Sequence, residues 1–382
     1  MRRFRAITVA TAVFLGIVGA AVQAQSQSPS FRGKPVEAWV SRLQHADAAV
    51  RLAACEELTR VAKEAEPDER VCRPLATGLA PLFSDHDADI RRAAAYAWTR
   101  FAKQLPDRQP DAAPSVALLL GWCANDDAEI RQIAARALVL VEPDAKVVLA
   151  PLVRLMADKD AGVRATVATV LGNIAPPEAA LPALVGALAD GDIAVRCAAA
   201  STIAGIGPAA RSATARLVPL LDDASELVRT TTVEAIGKVA LPEEGVPPLL
   251  ARYERATVND REAMLQALAI LAPEDPRVRA LLLAGLADDR LSWVALGILL
   301  SEAKASSGPK SWMSEAVPAL LRIAGDEKSS QMRRYQALST LGHLGPAAAA
   351  AVPGLEKLRE DARVGKIVER VLRQIDAVPA GH

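Results

Sequence analysis

Asp190-Gly191-Asp192-Ile193-Ala194-Val195-Arg196-Cys197-Ala198-Ala199-Ala200 is the stretch whose reading decides the fold. An acidic turn leads into an aliphatic residue followed by arginine, and small residues then open a helix. The aliphatic-arginine pair recurs as Val50-Arg51, Ile90-Arg91, Ile130-Arg131, Val163-Arg164, Val195-Arg196 and Val228-Arg229, with arginine spacings of 40, 40, 33, 32 and 33 residues. Arg261 follows, with Asp260 in the aliphatic place, and Arg333-Arg334 and Lys366 continue the series after a gap. A fixed period in this range is the signature of a helical solenoid.

Each repeat reads as two helices. Leu181, Leu184 and Leu188 share one helical face before the turn, and Val195, Ala199, Ile203 and Ile206 share another after it. Ala54, Ala94, Ala134 and Ala199 stand four residues after the aliphatic position, where small side chains let helices approach closely. The turn aspartates suit helix starts, because a carboxylate accepts from orphan backbone amides there and faces the positive end of the helix dipole. Prolines such as Pro74, Pro151, Pro182 and Pro318 fall in the first helices; within a first turn the missing amide costs little, deeper in a proline kinks the helix, and helix boundaries decide between the two. The spacing predicts repeats at about 35–63, 68–104, 111–141, 144–174, 178–206, 209–240, 243–272, 276–303, 311–344 and 347–377. The segment Lys304 to Lys310 is the clearest interruption. Short helices of this kind depend on packing between repeats for their stability.

Bulk composition fits this reading. Of 382 residues, 51% are hydrophobic but only 3% aromatic, which suits packed helices with small contact residues. Forty-five basic residues balance 45 acidic ones, so the basic footprint expected of a nucleic-acid binder is absent. Arg91-Arg92 and Arg333-Arg334 are basic pairs without aromatic platforms in series, which favours inter-repeat or solvated roles.

Residues 1–24 read as a cleaved secretory signal peptide: a basic head, an apolar run over 6–21, and small residues Val22 and Ala24 before the cut. The alternative is an uncleaved membrane anchor formed by residues 6–21. Residues 25–34 read as a polar linker, 35–377 as the repeat array and 378–382 as a tail. The expected location is the periplasm or the exterior, with no membrane-spanning run after the leader. Cys55, Cys72, Cys123 and Cys197 have no metal-ligand spacing and read as buried small hydrophobes. Cys55–Cys72 is the one disulfide pairing worth testing.

The pattern Asp-x-x-x-x-Val-Arg-x-x-Ala resembles the HEAT repeat, in the short bacterial form named after phycobilisome lyases. Asp158 to Val167 carries it and departs only at the last position; Ala337 to Ala348 gives a longer form. Gly33-Lys34-Pro35-Val36-Glu37-Ala38-Trp39 also looks like the opening of exported HEAT arrays of environmental bacteria. The resemblance implies an all-α fold, a right-handed α-solenoid of about ten HEAT-like helix pairs. It further implies a structural ladder between successive repeats, made here by Asp158, Arg164, Asp190, Arg196, Asp223 and Arg229.

Two enzyme classes share such an architecture. Deoxyhypusine hydroxylase holds two irons with paired His-Glu steps, whereas none of His45, His86, His343 and His382 is followed by Glu. Bilin lyases act inside photosynthetic cells, which sits badly with a leader. Calcium loops, a Gly-x-Ser-x-Gly elbow and a phosphate-binding Gly-rich loop are missing from the sequence. No catalytic, cofactor or metal residues are therefore expected. Trp98 reads as core. Trp293 and Trp312 bracket the zone where the eighth repeat loses its arginine, with Ser292 or Trp293 in its place according to register, and both tryptophans are candidate partner-binding residues. The expected function is a non-catalytic protein-binding scaffold; a lyase-like or other enzyme-accessory subunit is the alternative.

Overall fold

A computed structural model describes residues 29–64, 68–102, 113–140, 144–305 and 310–376. The leader, the alternative anchor over 6–21 and the tail 378–382 lie outside the described residues. The fold is an all-α solenoid, and its contacts divide it into two compact units, one up to Pro176 and one from Pro177.

In the first unit the helix pairs are Val36–Leu43 with Ala48–Glu64, Glu69–Leu79 with Ala88–Ala102, Ala113–Trp122 with Ala128–Leu140, and Ala145–Leu155 with Ala161–Ile174. Ahead of them stands a small hairpin. Ser30–Phe31 pairs antiparallel with Lys34–Pro35 through Arg32 and Gly33, both at positive φ (52° and 76°). Two central residues at positive φ make the tight hairpin turn that matches strand twist. Phe31 is buried, 5.9 Å centroid to centroid from Phe101, and its carbonyl accepts the indole N–H of buried Trp39 at 3.1 Å. The end of the expected linker 25–34 is thus folded. Phe31 is its aromatic anchor, and Lys34 adds an ion pair to Glu57 at 3.3 Å and lies 4.6 Å over the Trp39 ring.

In the second unit the pairs are Pro177–Ala187 with Ile193–Ile206, Thr214–Leu217 with Glu226–Val239, Pro242–Tyr253 with Val258–Leu271, Pro276–Gly285 with Ser292–Ala303, Val317–Gly325 with Gln331–Leu344, and Val352–Glu356 with Gly365–Asp376. Three of the first helices are extended by 3₁₀ turns: Gly207–Ala213 and Val218–Asp222, Ser311–Ala316, and Gly345–Ala351. Gly207 (φ 72°) and Gly345 (φ 54°), each followed by proline, stop the helices before them. A residue beyond the helix end at positive φ favours glycine, and proline cannot continue the helix.

Side-chain caps start many helices. Asp160 accepts from the Val163 amide, and Asp192 accepts from those of Ala194 and Val195. The buried stripe of each second helix is the one the period demands: Val195, Ala199 and Ile203 are fully covered. One run bears on the expectation that no membrane span follows the leader. Ile193–Asp222 is a helical run long and apolar enough to cross a membrane by length and composition. In the fold the run breaks at Gly207, and Val195, Ile203, Leu217 and Leu221 are buried between neighbouring helices.

Candidate functional site: the turn ladder and the exposed second-helix face

The regular turns are closed by the same chemistry. A turn aspartate accepts the amide two residues on, as Asp158 does from Asp160 and Asp190 from Asp192, both at 2.9 Å. The second-helix arginine then reaches back to carbonyls five and six residues earlier. Arg131 donates to Asn125 and Asp126, Arg164 to Asp158 and Lys159, Arg196 to Asp190 and Gly191, and Arg229 to Asp223 and Ala224. A planar guanidinium with several donors can clamp its own turn and still offer a fork to a carboxylate.

That fork makes the rungs. In the first unit Arg51 grips Asp85 with Nε at 2.8 Å and Nη2 at 3.1 Å, and Arg131 grips Asp158 at 2.8 and 2.7 Å. In the second unit Arg196 grips Asp223 at 2.8 and 2.9 Å, Arg229 reaches Asp260 at 3.0 Å and Arg334 reaches Asp361 at 2.5 Å. Burial alone would raise the carboxyls of Asp85, Asp158 and Asp223. The guanidinium hydrogen bonds, the turn amide and nearby positive charge outweigh it and hold all three below the usual carboxylate range. Asp361 is lowered chiefly by its hydrogen bond from Arg334. Of the residues expected in the ladder, Asp158, Arg196, Asp223 and Arg229 take rungs as described. Arg164 and Asp190 lie in different units and each closes its own turn.

The departures are informative. Asn125 stands where the third turn should carry aspartate. Arg91 holds the carbonyls of Asp85 and His86, and Arg92 reaches over to Asp127 (3.6 Å) and Glu129 (3.4 Å) instead. The turn before Val258–Leu271 has no aspartate, and Asp260 supplies the carboxylate from inside the helix. It is fully buried, and its Oδ1 has no hydrogen-bond partner among the described residues. Arg261 turns back to the carbonyls of Tyr253 and Glu254 at 3.1 and 2.8 Å.

The register of the eighth repeat is settled by its core. Leu291, Ala295 and Leu299 are buried at the spacing of Val195, Ala199 and Ile203, so Ser292 occupies the arginine place. The carbonyl six residues earlier, Leu286, is held by Arg322 of the next repeat at 3.4 Å.

Trp293 therefore sits one residue beyond the arginine place, where other repeats carry Cys197, Thr230 and Glu262. It is 55% exposed, and its indole N–H donates to Glu262 at 3.2 Å. Tyr335 holds the same register in the next repeat and is 42% exposed; Met332, Leu227 and Ile270 are also exposed. Sequence reasoning missed Tyr335, although its place after Arg334 was a usable signal. Trp312 needs correction. It belongs to the 3₁₀ turn Ser311–Ala316, is only 4% exposed, and has the Arg279 guanidinium 5.8 Å from its ring. An enclosed ring offers no face to a partner. Trp98 is core, edge-on to Trp122 at 5.4 Å. Burial pushes the thiols of Cys55 and Cys123 up to about 12 and that of Cys72 up to about 11, far from a poised nucleophile.

Paired helices in series, tied turn to turn by arginine and aspartate, define a helical-repeat solenoid. Residues 116–204 and 181–269 each match the family model described as HEAT repeats, and this segment carries such repeats. No curated protein sequence matches. Among solved structures, a chain from the work on Kap95p binding to RanGDP has a TM-score of 0.63 at 14% identity, covering 89% of this chain and 50% of that one. An engineered protein is similar at a TM-score of 0.48 and 23% identity, covering 90% of this chain and 99% of its own. The complex of CpcE and CpcF of phycocyanin lyase from Nostoc sp. PCC7120 is similar at 0.39 and 21%, covering 68% and 93%. The Kap95p likeness bears on the fold alone.

Proposed function

We propose that the protein is a non-catalytic scaffold that binds a protein partner across the second helices of its second unit, outside the cytoplasm after export by residues 1–24. The observation that carries this reading is Trp293, a large aromatic left more than half exposed where the three preceding repeats carry Cys197, Thr230 and Glu262. Tryptophan and tyrosine are favoured anchors because they bring much contact area at little conformational cost. Tyr335 in the same register and Met332 three residues before it carry the row of exposed side chains on to the next repeat. Solenoids present such rows of side chains to extended partners, and Kap95p, which shares the fold, binds RanGDP.

In-cell crosslinking with mass spectrometry is the test, run on the wild type and on Trp293→Ala combined with Tyr335→Ala. The double variant is expected to lose the captured partner while keeping its helical content. A partner set unchanged by the substitutions sinks this surface. Absence of any partner at native expression sinks the scaffold reading itself.

A further inference from the structure

In the second unit the rungs are not continuous. Arg196–Asp223 and Arg229–Asp260 tie three successive second helices, and Arg334–Asp361 ties the last two. Between them two rungs are missing. Arg261 spends its donors on Tyr253 and Glu254, and among the described residues no ion pair joins it to Asp288 of the next turn. Ser292 replaces the following arginine. Asp326, the turn carboxylate that should receive it, takes the Ser329 hydroxyl at 2.8 Å and the Lys328 amide at 3.0 Å.

What replaces the rungs between second helices is weaker, and the one short ion-pair group at the second junction, Lys310 with Glu302 at 2.8 Å and Glu274 at 3.2 Å, starts from the residue before the 3₁₀ turn Ser311–Ala316 and not from a second helix. Trp293 to Glu262 is a single exposed bond at 3.2 Å; Arg333 meets Asp289 at 3.4 Å, with that carboxylate 95% exposed; Arg322 meets the Leu286 carbonyl at 3.4 Å. Helix contact follows the division at the first of the two junctions, whereas Ser292–Ala303 and Gln331–Leu344 touch as extensively as the tied pair Gln331–Leu344 and Gly365–Asp376. A methyl on Gly237 would come within 3.0 Å of Ala267 Cβ, so Glu226–Val239 and Val258–Leu271 are pressed together. Val258–Leu271 and Ser292–Ala303 touch over a much shorter stretch. The Asn125 junction of the first unit also lacks its carboxylate, but there Arg92 and Tyr96 reach across to acidic partners.

A forked ion pair fixes both the distance and the orientation of the helices it joins. In an array held by nearest-neighbour interfaces, the weakest interface moves first. We propose that the pair Pro276–Gly285 and Ser292–Ala303 is a joint, about which the tightly laddered pairs before it pivot against the pairs after it. This inference stands whether or not Trp293 binds a partner.

Electron–electron distance measurements on the full chain test it, with nitroxide labels at Ser201 and Gln266 or at Gln266 and Ser339 in a Cys197→Ser background. Each label pair spans two helix junctions: the first crosses the two intact rungs, the second the two missing ones. The 266–339 distance distribution is expected to be at least twice as wide as the 201–266 one. Removing a rung without leaving a lone charge, by Arg196→Ala with Asp223→Ala, is expected to widen the 201–266 distribution. Equal widths in the wild type overturn the joint. An unchanged 201–266 width in the double variant, confirmed folded by circular dichroism, shows that rungs do not set rigidity and overturns it too.

Discussion

Arg131→Ala is the sharpest probe of the ladder. The side chain makes four hydrogen bonds: two to Asp158 at 2.8 and 2.7 Å, and two to the carbonyls of Asn125 and Asp126 at 2.8 and 3.0 Å. The pair is almost covered, with 6% of the Arg131 side chain and 9% of the Asp158 side chain exposed. Truncation strands the Asp158 carboxylate with the Asp160 amide, and Asp127 and Asp160 add like charge nearby. Breaking a buried pair from one side costs about 3–5 kcal/mol. Asp158 keeps an edge in water, so the lower end applies, about 3 kcal/mol. Asp158→Asn keeps the shape and the turn amide bond but loses the charge. Its cost is expected near 2 kcal/mol, with a coupling of about 2 kcal/mol in the double-mutant cycle. Urea unfolding followed by far-ultraviolet circular dichroism reads these values from the first transition, since repeat arrays need not unfold in one step. A cost below about 0.5 kcal/mol for Arg131→Ala, the range of ordinary surface changes, refutes the ladder as a source of stability.

The rung carboxylates set the acid limit. Asp85, Asp158, Asp223 and Asp361 sit below their unfolded values, so their contribution is complete above the unfolded pKa of about 3.9 and is lost as pH falls through the lower folded values. The melting temperature is expected to hold from pH 7 to 5 and drop steeply below 4; a maximum near pH 3 contradicts this. Phe31→Ala removes the hairpin anchor and is expected to cost about 3 kcal/mol, checked by thermal unfolding. Gly237→Ala is expected to destabilise by about 1–3 kcal/mol through overpacking against Ala267. Gly297→Ala meets nothing within 4 Å and is expected to stabilise by about 0.5–1 kcal/mol; the same unfolding assay separates the two. In native alkylation at pH 8, half-buried Cys197 is expected to react first, ahead of the buried Cys55, Cys72 and Cys123, with mass spectrometry as the readout.

The ladder was legible in the sequence because every regular turn faces the same demand. An amide must be capped, two carbonyls must be held and the next turn must be met, and aspartate with arginine does all three at fixed spacing. Chemistry that repeats leaves a period. Chemistry that occurs once does not, and the remaining features are of that kind. Asp260 looked like a lost aliphatic residue. The missing turn acid, Arg255-Ala256-Thr257 in place of an aspartate, was the signal that a carboxylate had moved into the helix. Trp293 and Trp312 were equivalent by composition and position, and only packing separates an exposed ring from an enclosed one. Phe31 sat in a stretch that composition called linker, because its partners, Trp39 and Phe101, are set by the fold and not by local pattern. The register at Ser292 shows the same division: counting from the arginines left two residues open, and the buried spacing of Leu291, Ala295 and Leu299 decided between them. A serine in an arginine's place leaves Asp326 with a local partner in Ser329 and the Leu286 carbonyl with Arg322 of the next repeat. The break in the ladder is therefore capped on both sides: the groups that a rung would have joined find partners apart from each other, and the polar groups are satisfied without tying the two helices.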